Sequence, residues 1–479
     1  MAGGWPAHTV GTMRRKAFPT WLASPAPTLF LALFAAQAGV LSLTPILPDL
    51  ARDLGVSTAT AGGLRVLSGL AGGVTALVLV RVWRRLDLRD LIRLGALLVC
   101  VGSLFGAAAP SFPLLAAAQV ALGAGVAATL SGGVAAAAEW SRPSERSRML
   151  SWALVGQPAS WVVCMPVIGV LSDLGWRAAL IFPAVAALTA LIAVSGRPAE
   201  GASPPSASLR AALRGRPVVA GWATGELLAY AGWGGTLVFA GALMVESYGA
   251  SVGLTGAILG AGALAYFPGN FIARRYVDSR SQQLLVALGI AMAAGVVLFG
   301  ACRPALWLSG LLFAMLVLLA GGRAIAGSAF GLDAAPEHKV ALMSIRAAAT
   351  QFGYLVGAGL GGLALAAGGY SLLGVVLATL FALAVLPYLC VTPGSLGERA
   401  SPPGSSTRPL RATAVRVGRF AGARSGACFA TRLQYSSPSA PSLVLWTRRE
   451  SPVGRSGRSS SARRPVAPGL AAAEPPKQE

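Results

Sequence analysis

The sequence predicts an all-α membrane protein with twelve transmembrane helices arranged in two six-helix bundles. Twelve apolar stretches fill the chain from Leu29 to Val391. Each is long enough for a helix that crosses a bilayer, which needs ~20 residues. Of the residues, 55% are hydrophobic, only 12% are charged, and 60 are glycines. Lipid cannot form hydrogen bonds with the N–H and C=O groups of the backbone. Each stretch is therefore expected to be a helix, which satisfies these groups internally.

The order of apolar and polar segments sets the predicted domains. These are a cytoplasmic N-terminus 1–27, bundles 28–195 and 217–391, a cytoplasmic linker 196–216, and a basic tail 392–479. The predicted helices are 28–47, 61–82, 91–109, 112–138, 151–172, 177–195, 217–245, 252–272, 282–301, 304–328, 343–367 and 370–391. The tail has no sustained apolar period and is predicted to be disordered.

The basic residues indicate topology rather than nucleic-acid binding. One set of alternating loops, leaving out the tail, has 21 Lys and Arg residues, among them Arg323 and Arg346, and the other set has four. Those four are Arg52, Arg65, Arg177 and Arg303. Since basic loops remain in the cytoplasm, both termini are predicted to be cytoplasmic in a multi-pass protein of the plasma membrane. No nucleic-acid partner is expected.

The residue inventory argues against several classes of protein. Five scattered cysteines and two histidines form no metal-ligand spacing, so neither a metal nor a cofactor is expected. No Gly-Lys pair occurs, which excludes a P-loop. Short outward loops without an acidic cluster disfavour an enzyme that modifies lipid-linked substrates. The absence of a repeated filter sequence disfavours a channel.

Glu226 is the one carboxylate deep inside a predicted helix, since the other 16 lie at helix ends, in loops or in the tail. A charged side chain at the bilayer centre costs roughly 2.5–3.5 kcal/mol, so it should face a cavity or a partner. A carboxyl group in such surroundings can carry a proton near neutral pH. We therefore predict that Glu226 couples transport to protons, and a hydrogen bond to a neighbouring helix is the alternative.

Aromatic side chains share one helix face with Glu226. Trp222, Tyr230 and Trp233 follow at helical spacing and predict a cavity wall for an apolar or cationic ligand. Ordinary packing is the alternative. Other intramembrane polar groups are assigned to the same cavity, with an interhelical hydrogen bond as the alternative for each. These are Gln37, Gln119, Gln157, Gln351 and Tyr354.

Glycines at i, i+4 spacing predict faces for close helix contacts. They are Gly69 and Gly73 in the second helix, Gly256 and Gly260 in the eighth, and Gly353, Gly357 and Gly361 in the eleventh. Pairs of this kind also arise by chance in a glycine-rich chain, whereas the triple is harder to explain in that way.

Corresponding loops of the two halves carry related charges. Arg84 and Arg85 follow the second helix, and Arg274 and Arg275 follow the eighth. This match favours a duplicated architecture, which is one of the known ways to build a secondary transporter. The four arginines are a candidate cytoplasmic gate, although orientation by positive charge explains them equally well.

Short motifs at the helix junctions resemble those of a known family of transporters. They are Pro45–Ser57 between helices 1 and 2, Arg146 after helix 4, Gly175–Arg177 before helix 6, and Pro336, Glu337, Gln351, Gly353, Gly357, Gly361 and Gly362 near helix 11. In these motifs the chain is similar to the major facilitator superfamily over about residues 28–391. The resemblance implies a substrate cavity between two halves that opens alternately to each side. It also implies that helices 2 and 11, and 5 and 8, meet across the cavity, where the glycine faces would pack.

The sequence departs from this family at several motifs, two of which concern the gate and proton movement. In the loop after helix 2 only Arg85 fits, because Val80, Arg84 and Asp87 replace the usual Gly, Asp and Gly. In helix 4, Gln119 stands where the family usually has an arginine tied to proton movement.

These observations together favour a secondary transporter that exports a small drug-like or apolar compound in exchange for protons. Transport of a sugar or another metabolite by the same fold is the alternative, and a lipid-modifying enzyme is less favoured. The expected partners are the small-molecule substrate, a proton gradient and the lipid bilayer. A monomer is expected, because a two-halved pathway needs no second chain.

Overall fold

The structure is a computed structural model that describes residues 25–82, 87–141, 145–197, 213–214 and 216–390. Every regular element in these ranges is a helix. The predicted tail and most of the predicted linker lie outside the described residues.

Within the described ranges, the N-terminal half contains a short 3-10 helix (Ser172–Leu174) and nine α-helices. The α-helices are α1 (Pro25–Leu41), α2 (Leu47–Asp53), α3 (Thr58–Gly62), α4 (Leu64–Val82), α5 (Leu88–Ala108), α6 (Phe112–Glu139), α7 (Arg146–Leu171), α8 (Trp176–Ala179) and α9 (Ile181–Ser195). The first predicted helix was expected to reach residue 47 but ends at Leu41. The cause is Pro45, which has no N–H to continue the helical hydrogen bonds and clashes with the preceding turn.

The described part of the C-terminal half forms α10 (Pro217–Tyr248), α11 (Val252–Ala263), α12 (Tyr266–Ala273), α13 (Val277–Ala301), α14 (Leu306–Ala334) and α15 (Lys339–Leu389). The last of these is 51 residues long, far more than one crossing requires. Its backbone leaves helical geometry at Gly368 and Gly369, the second of which has a φ of 64° that favours glycine. The break divides α15 into two segments.

The helices have the length and apolarity of membrane crossings. Ten described helices qualify by these criteria, and α1 is a shorter apolar helix. When α15 is divided at its break, the described helices provide twelve apolar segments. Large apolar side chains such as Trp307 and Leu363, each 70% exposed, cover the outer surface, as expected for a protein surrounded by lipid. The chain is therefore an all-α, multi-pass membrane protein.

Two of the helix pairs that join the halves in the described residues pack through glycines. A Cβ added at Gly69 on α4 would meet Leu355, and one at Gly73 would meet the ring of Phe352, both on α15. On the other side, Gly256 and Gly260 of α11 face α7, against the Met165 carbonyl and the Pro166 ring respectively. Small residues at these positions let the helix backbones approach closely.

The glycine triple packs differently from the expectation. Gly353 and Gly357 face Ala231 on α10, and Gly361 faces Phe239 on the same helix, all within the C-terminal half. Helical spacing determines which residues share a face, but it does not determine which neighbour that face meets. The triple therefore lets α10 and α15 approach closely, while a neighbouring face of α15 contacts α4.

Replacement of Gly256 by alanine should lower the thermal stability of the purified protein in detergent. The added Cβ would meet the Met165 carbonyl across the interface between the halves, and overpacking of this kind costs about 1–3 kcal/mol. Gly253→Ala on the same helix is the matched control, because its nearest neighbouring atom is 3.8 Å away. Equal melting temperatures for the two variants would contradict this packing.

Candidate substrate and coupling site

The Glu226 carboxylate lies inside the C-terminal half with no exposed surface. Its Oε1 is 3.0 Å from Arg323 Nη2 on α14, and its Oε2 accepts a hydrogen bond of 2.9 Å from Arg346 Nε on α15. Arg346 also donates to the Tyr230 hydroxyl at 2.8 Å and to the Ala324 carbonyl at 3.0 Å. We call Glu226, Arg323, Arg346 and Tyr230 the Glu226 cluster. It joins three helices through one carboxylate.

The surrounding residues fit closely around this carboxylate. A Cβ at Gly327 on α14 would lie only 2.5 Å from Glu226 Oε1, so the position needs glycine. The Gly327 carbonyl accepts a 2.8 Å hydrogen bond from Trp222 Nε1, and Arg323 donates to the Gly225 carbonyl at 3.3 Å. These contacts fix the distance between α10 and α14 at the level of the cluster.

The two arginine partners were not identified from the sequence. Arg323 and Arg346 were counted among the basic residues that set topology, but the structure pairs both with Glu226 in the interior. A buried carboxylate and guanidinium reduce each other's desolvation cost, which favours the pair over separate positions. Their burial could have been predicted from the sequence, because each arginine lies inside a predicted apolar helix. Because Glu226 already has two cationic partners, it is not free to bind a cationic ligand in this conformation.

The predicted aromatic stripe divides between two environments. Trp222 is buried within the C-terminal half, where it packs with Phe330 and Val219. Tyr230 instead makes an edge contact with Tyr354 at 6.2 Å between ring centroids. Trp233 lies 5.7 Å from Trp161 of α7, so it reaches the interface between the halves.

The glutamines predicted to line the substrate cavity lie on different helices and differ in burial. Gln37 is buried on α1 beside Tyr354, and its amide nitrogen has no hydrogen-bond partner. Gln351 is buried at the contact between α15 and α4, where its side chain lies next to Gly72. Gln119 is buried in α6, whereas Gln157 of α7 is partly exposed.

Three residues that the sequence reasoning missed lie between the halves. Arg65, which the sequence analysis counted among the basic residues of the outward side, is only 4% exposed. It donates from Nη1 to the Ser68 hydroxyl at 3.0 Å and lies 5.1 Å from the Tyr354 ring centroid. Trp161 contacts Tyr266 of α12 at 5.4 Å as well as Trp233. The position of Arg65 inside a predicted membrane helix could have indicated that it is buried. Nothing in the sequence indicated that Trp161 and Tyr266 lie between the halves.

The halves are joined at the end of the bundle where α10 finishes. Thr58 of α3 donates to Glu246, which also accepts a 2.8 Å hydrogen bond from the Tyr370 hydroxyl. Nearby, Gly62 faces Phe239. We call this region the Glu246 end. Hydrogen bonds from Arg177 and Trp176 of α8 lower the pKa of Asp53, at the end of α2, and tie these two short helices together.

The candidate gate arginines are only partly described. Arg274 and Arg275 follow α12 and are exposed, with Arg275 above the ring of Phe271 at 5.2 Å. Arg84 and Arg85 lie outside the described residues. Pairing of these arginines across the mouth stays a prediction.

Two membrane-spanning halves with charged and aromatic residues buried between and within them are an arrangement typical of membrane transporters. The sequence profile described as Major Facilitator Superfamily matches residues 29–226 and 222–447. The chain belongs to the Major Facilitator Superfamily, whose members move small molecules across membranes.

Individual relatives agree with this assignment. The chain is 28% identical over 288 residues to a chloramphenicol resistance protein of Streptomyces lividans, covering 57% of this chain and 71% of that protein. The fold is similar to the xylose transporter XylE from E. coli in a partially occluded inward-open conformation, with a TM-score of 0.63, 14% identity, and coverage of 77% and 97% of the two chains. It is also similar to an inward-facing, occupied bacterial homologue of the human lysosomal transporter Spinster, with a TM-score of 0.62, 13% identity, and coverage of 78% and 95%. Such low identities show the fold alone.

Replacement of Glu226 by glutamine should destabilise the protein more than replacement of Arg323 by glutamine. The first change leaves two buried guanidinium groups without a carboxylate, whereas the second leaves one pair intact. Removing one partner of a buried ion pair costs about 3–5 kcal/mol. The melting temperature in detergent of the double variant, with both Glu226→Gln and Arg323→Gln, should therefore be higher than the sum of the two single losses predicts. Additive losses would contradict the described pairing.

Proposed function

We propose that this protein exports a small, largely apolar organic compound across the plasma membrane by alternating access, in exchange for protons. Glu226 would be the group that links proton binding to the conformational change. The observation that carries this proposal is a fully buried carboxylate held by arginines from two other helices, one of which also contacts the opposite half.

The Glu226 cluster offers a physical route from protonation to movement. A proton on Glu226 would remove the negative charge that both Arg323 and Arg346 contact. Two like charges would then remain close together, and their repulsion in a medium of low dielectric would favour separation of α14 from α15. Because α15 also packs against α4, such a movement would alter the contact between the halves.

The orientation of the chain supports loading from the cytoplasm. The predicted cytoplasmic loops, with most of the basic residues, lie opposite the Glu246 end. The Glu246 end would therefore face outside the cell. In this conformation the two halves contact each other there, through Thr58 with Glu246 and Gly62 with Phe239. A compound that arrives from the cytoplasm would reach Tyr230 and Tyr266, which are both partly exposed.

The relative from Streptomyces supports export over uptake. Its name concerns resistance to chloramphenicol, and removal of a compound from the cell is one way to resist it. Sugar transport by the same fold remains the competing proposal, because aromatic rings such as Trp161 and Trp233 can also contact sugars. A panel of chloramphenicol, aromatic dyes and sugars, tested in liposomes with an imposed pH gradient, separates the two.

Glu226→Gln should abolish accumulation driven by a pH gradient while leaving substrate exchange without a gradient. The glutamine resembles the protonated carboxyl and cannot alternate between two charge states. Radiolabelled chloramphenicol uptake into proteoliposomes, with and without the gradient, measures both activities.

Asp90→Asn is the matched control for this experiment, because Asp90 is an exposed carboxylate paired with Arg93 at 3.2 Å, away from the cluster. It should keep the wild-type rates. An unchanged rate and pH dependence in Glu226→Gln would remove Glu226 from the coupling mechanism.

A further inference from the structure

Five buried side-chain donor atoms in the described N-terminal half have no acceptor, and three of them lie close to the C-terminal half. These three are Nη2 of Arg65 on α4, Nε2 of Gln37 on α1 and Nε1 of Trp161 on α7. Each side chain is at least nine-tenths buried. Buried donors are almost always satisfied in native proteins, so three together require an explanation.

The three donors face the same region between the halves. Arg65 and Gln37 both approach Tyr354 of α15, and Tyr354 in turn contacts Tyr230. Trp161 lies within 6 Å of Trp233 and Tyr266, ring centre to ring centre. The donors therefore lie beside aromatic rings of the other half.

The interior charges near the contact between the halves do not balance. Among the described residues, the interior groups Arg65, Arg323 and Arg346 are cationic and Glu226 alone is anionic. An uncompensated charge is costly to bury, and Arg65 has only the Ser68 hydroxyl and the Tyr354 ring as partners. The missing partner is an acceptor with negative charge.

We infer that the transported compound is an aromatic anion, whose anionic group accepts hydrogen bonds from Arg65 and Gln37 while its ring packs among Trp161, Trp233 and Tyr266. This inference rests on the proposed function, because it names the class of compound for the same site. It replaces the expectation of a cationic ligand. A neutral acceptor would satisfy the donors but would leave the charge of Arg65 uncompensated.

The test compares three naphthalene probes whose polar group is anionic, neutral or cationic: 1-naphthoate, 1-naphthamide and 1-naphthylmethylammonium. Isothermal titration of the purified full-length protein at neutral pH should show that naphthoate binds about tenfold or more tightly than the other two. This comparison of probes needs no variant, so it stands even if a substitution impairs folding.

Substitution of Arg65 assigns the preference to one residue. Arg65→Gln should weaken naphthoate binding about tenfold or more and change naphthamide binding less than threefold, while Arg65→Lys should keep part of the preference. Arg52→Gln is the matched control, because Arg52 is 72% exposed on α2 and pairs with Asp49. Each variant is first checked for a single symmetrical peak in gel filtration.

Four results would overturn the inference: tighter binding of the cation, equal binding of naphthoate and naphthamide, an equal loss for both in Arg65→Gln, or no binding of any probe. Proton-driven transport of chloramphenicol alongside any of these would leave the proposed function standing. Naphthoate binding that depends on Arg65, without proton-driven transport of any compound, would support the inference and contradict the proposed function.

Discussion

One carboxylate placed where water does not reach determines how the C-terminal half is assembled. Glu226 has no exposed surface, and it forms ion pairs with two guanidinium groups on separate helices. In a low-dielectric interior such contacts are strong only when the geometry is close to ideal, so small displacements of α14 or α15 are costly. Gly327 completes the arrangement, because a larger residue would occupy the space of the carboxylate.

The same helices connect this interaction to the opposite half. Gly353 and Gly357 let α15 pack directly on α10, the helix that contains Glu226. A neighbouring face of α15, with Phe352 and Leu355, contacts the glycines of α4. A change in the charge of the Glu226 cluster therefore acts on a helix that belongs to both interfaces. In this arrangement a small local event can favour one of two positions of the halves.

The sequence was sufficient for features that depend on local composition, and insufficient for those that depend on partners. Hydropathy located the apolar segments, and the rarity of carboxylates in them singled out Glu226. Arg65, Arg323 and Arg346 were missed as interior residues, because counting arginines by side of the membrane treats each as a topology signal. Glu226, the partner of Arg323 and Arg346, comes from a helix distant in the chain, so no spacing rule could reveal these pairs. The same limit explains the glycine triple, whose face was evident but whose neighbour was not.

The charge state of Glu226 during transport is the most direct test of this account. Infrared difference spectroscopy of the protein in liposomes, with Glu226→Gln to assign the signal, distinguishes an ionised carboxylate from a protonated carboxyl group. The account predicts an ionised Glu226 in the resting protein at neutral pH and a protonated one when a proton gradient drives exchange. A Glu226 that is protonated at rest, or that stays ionised throughout exchange, would contradict it.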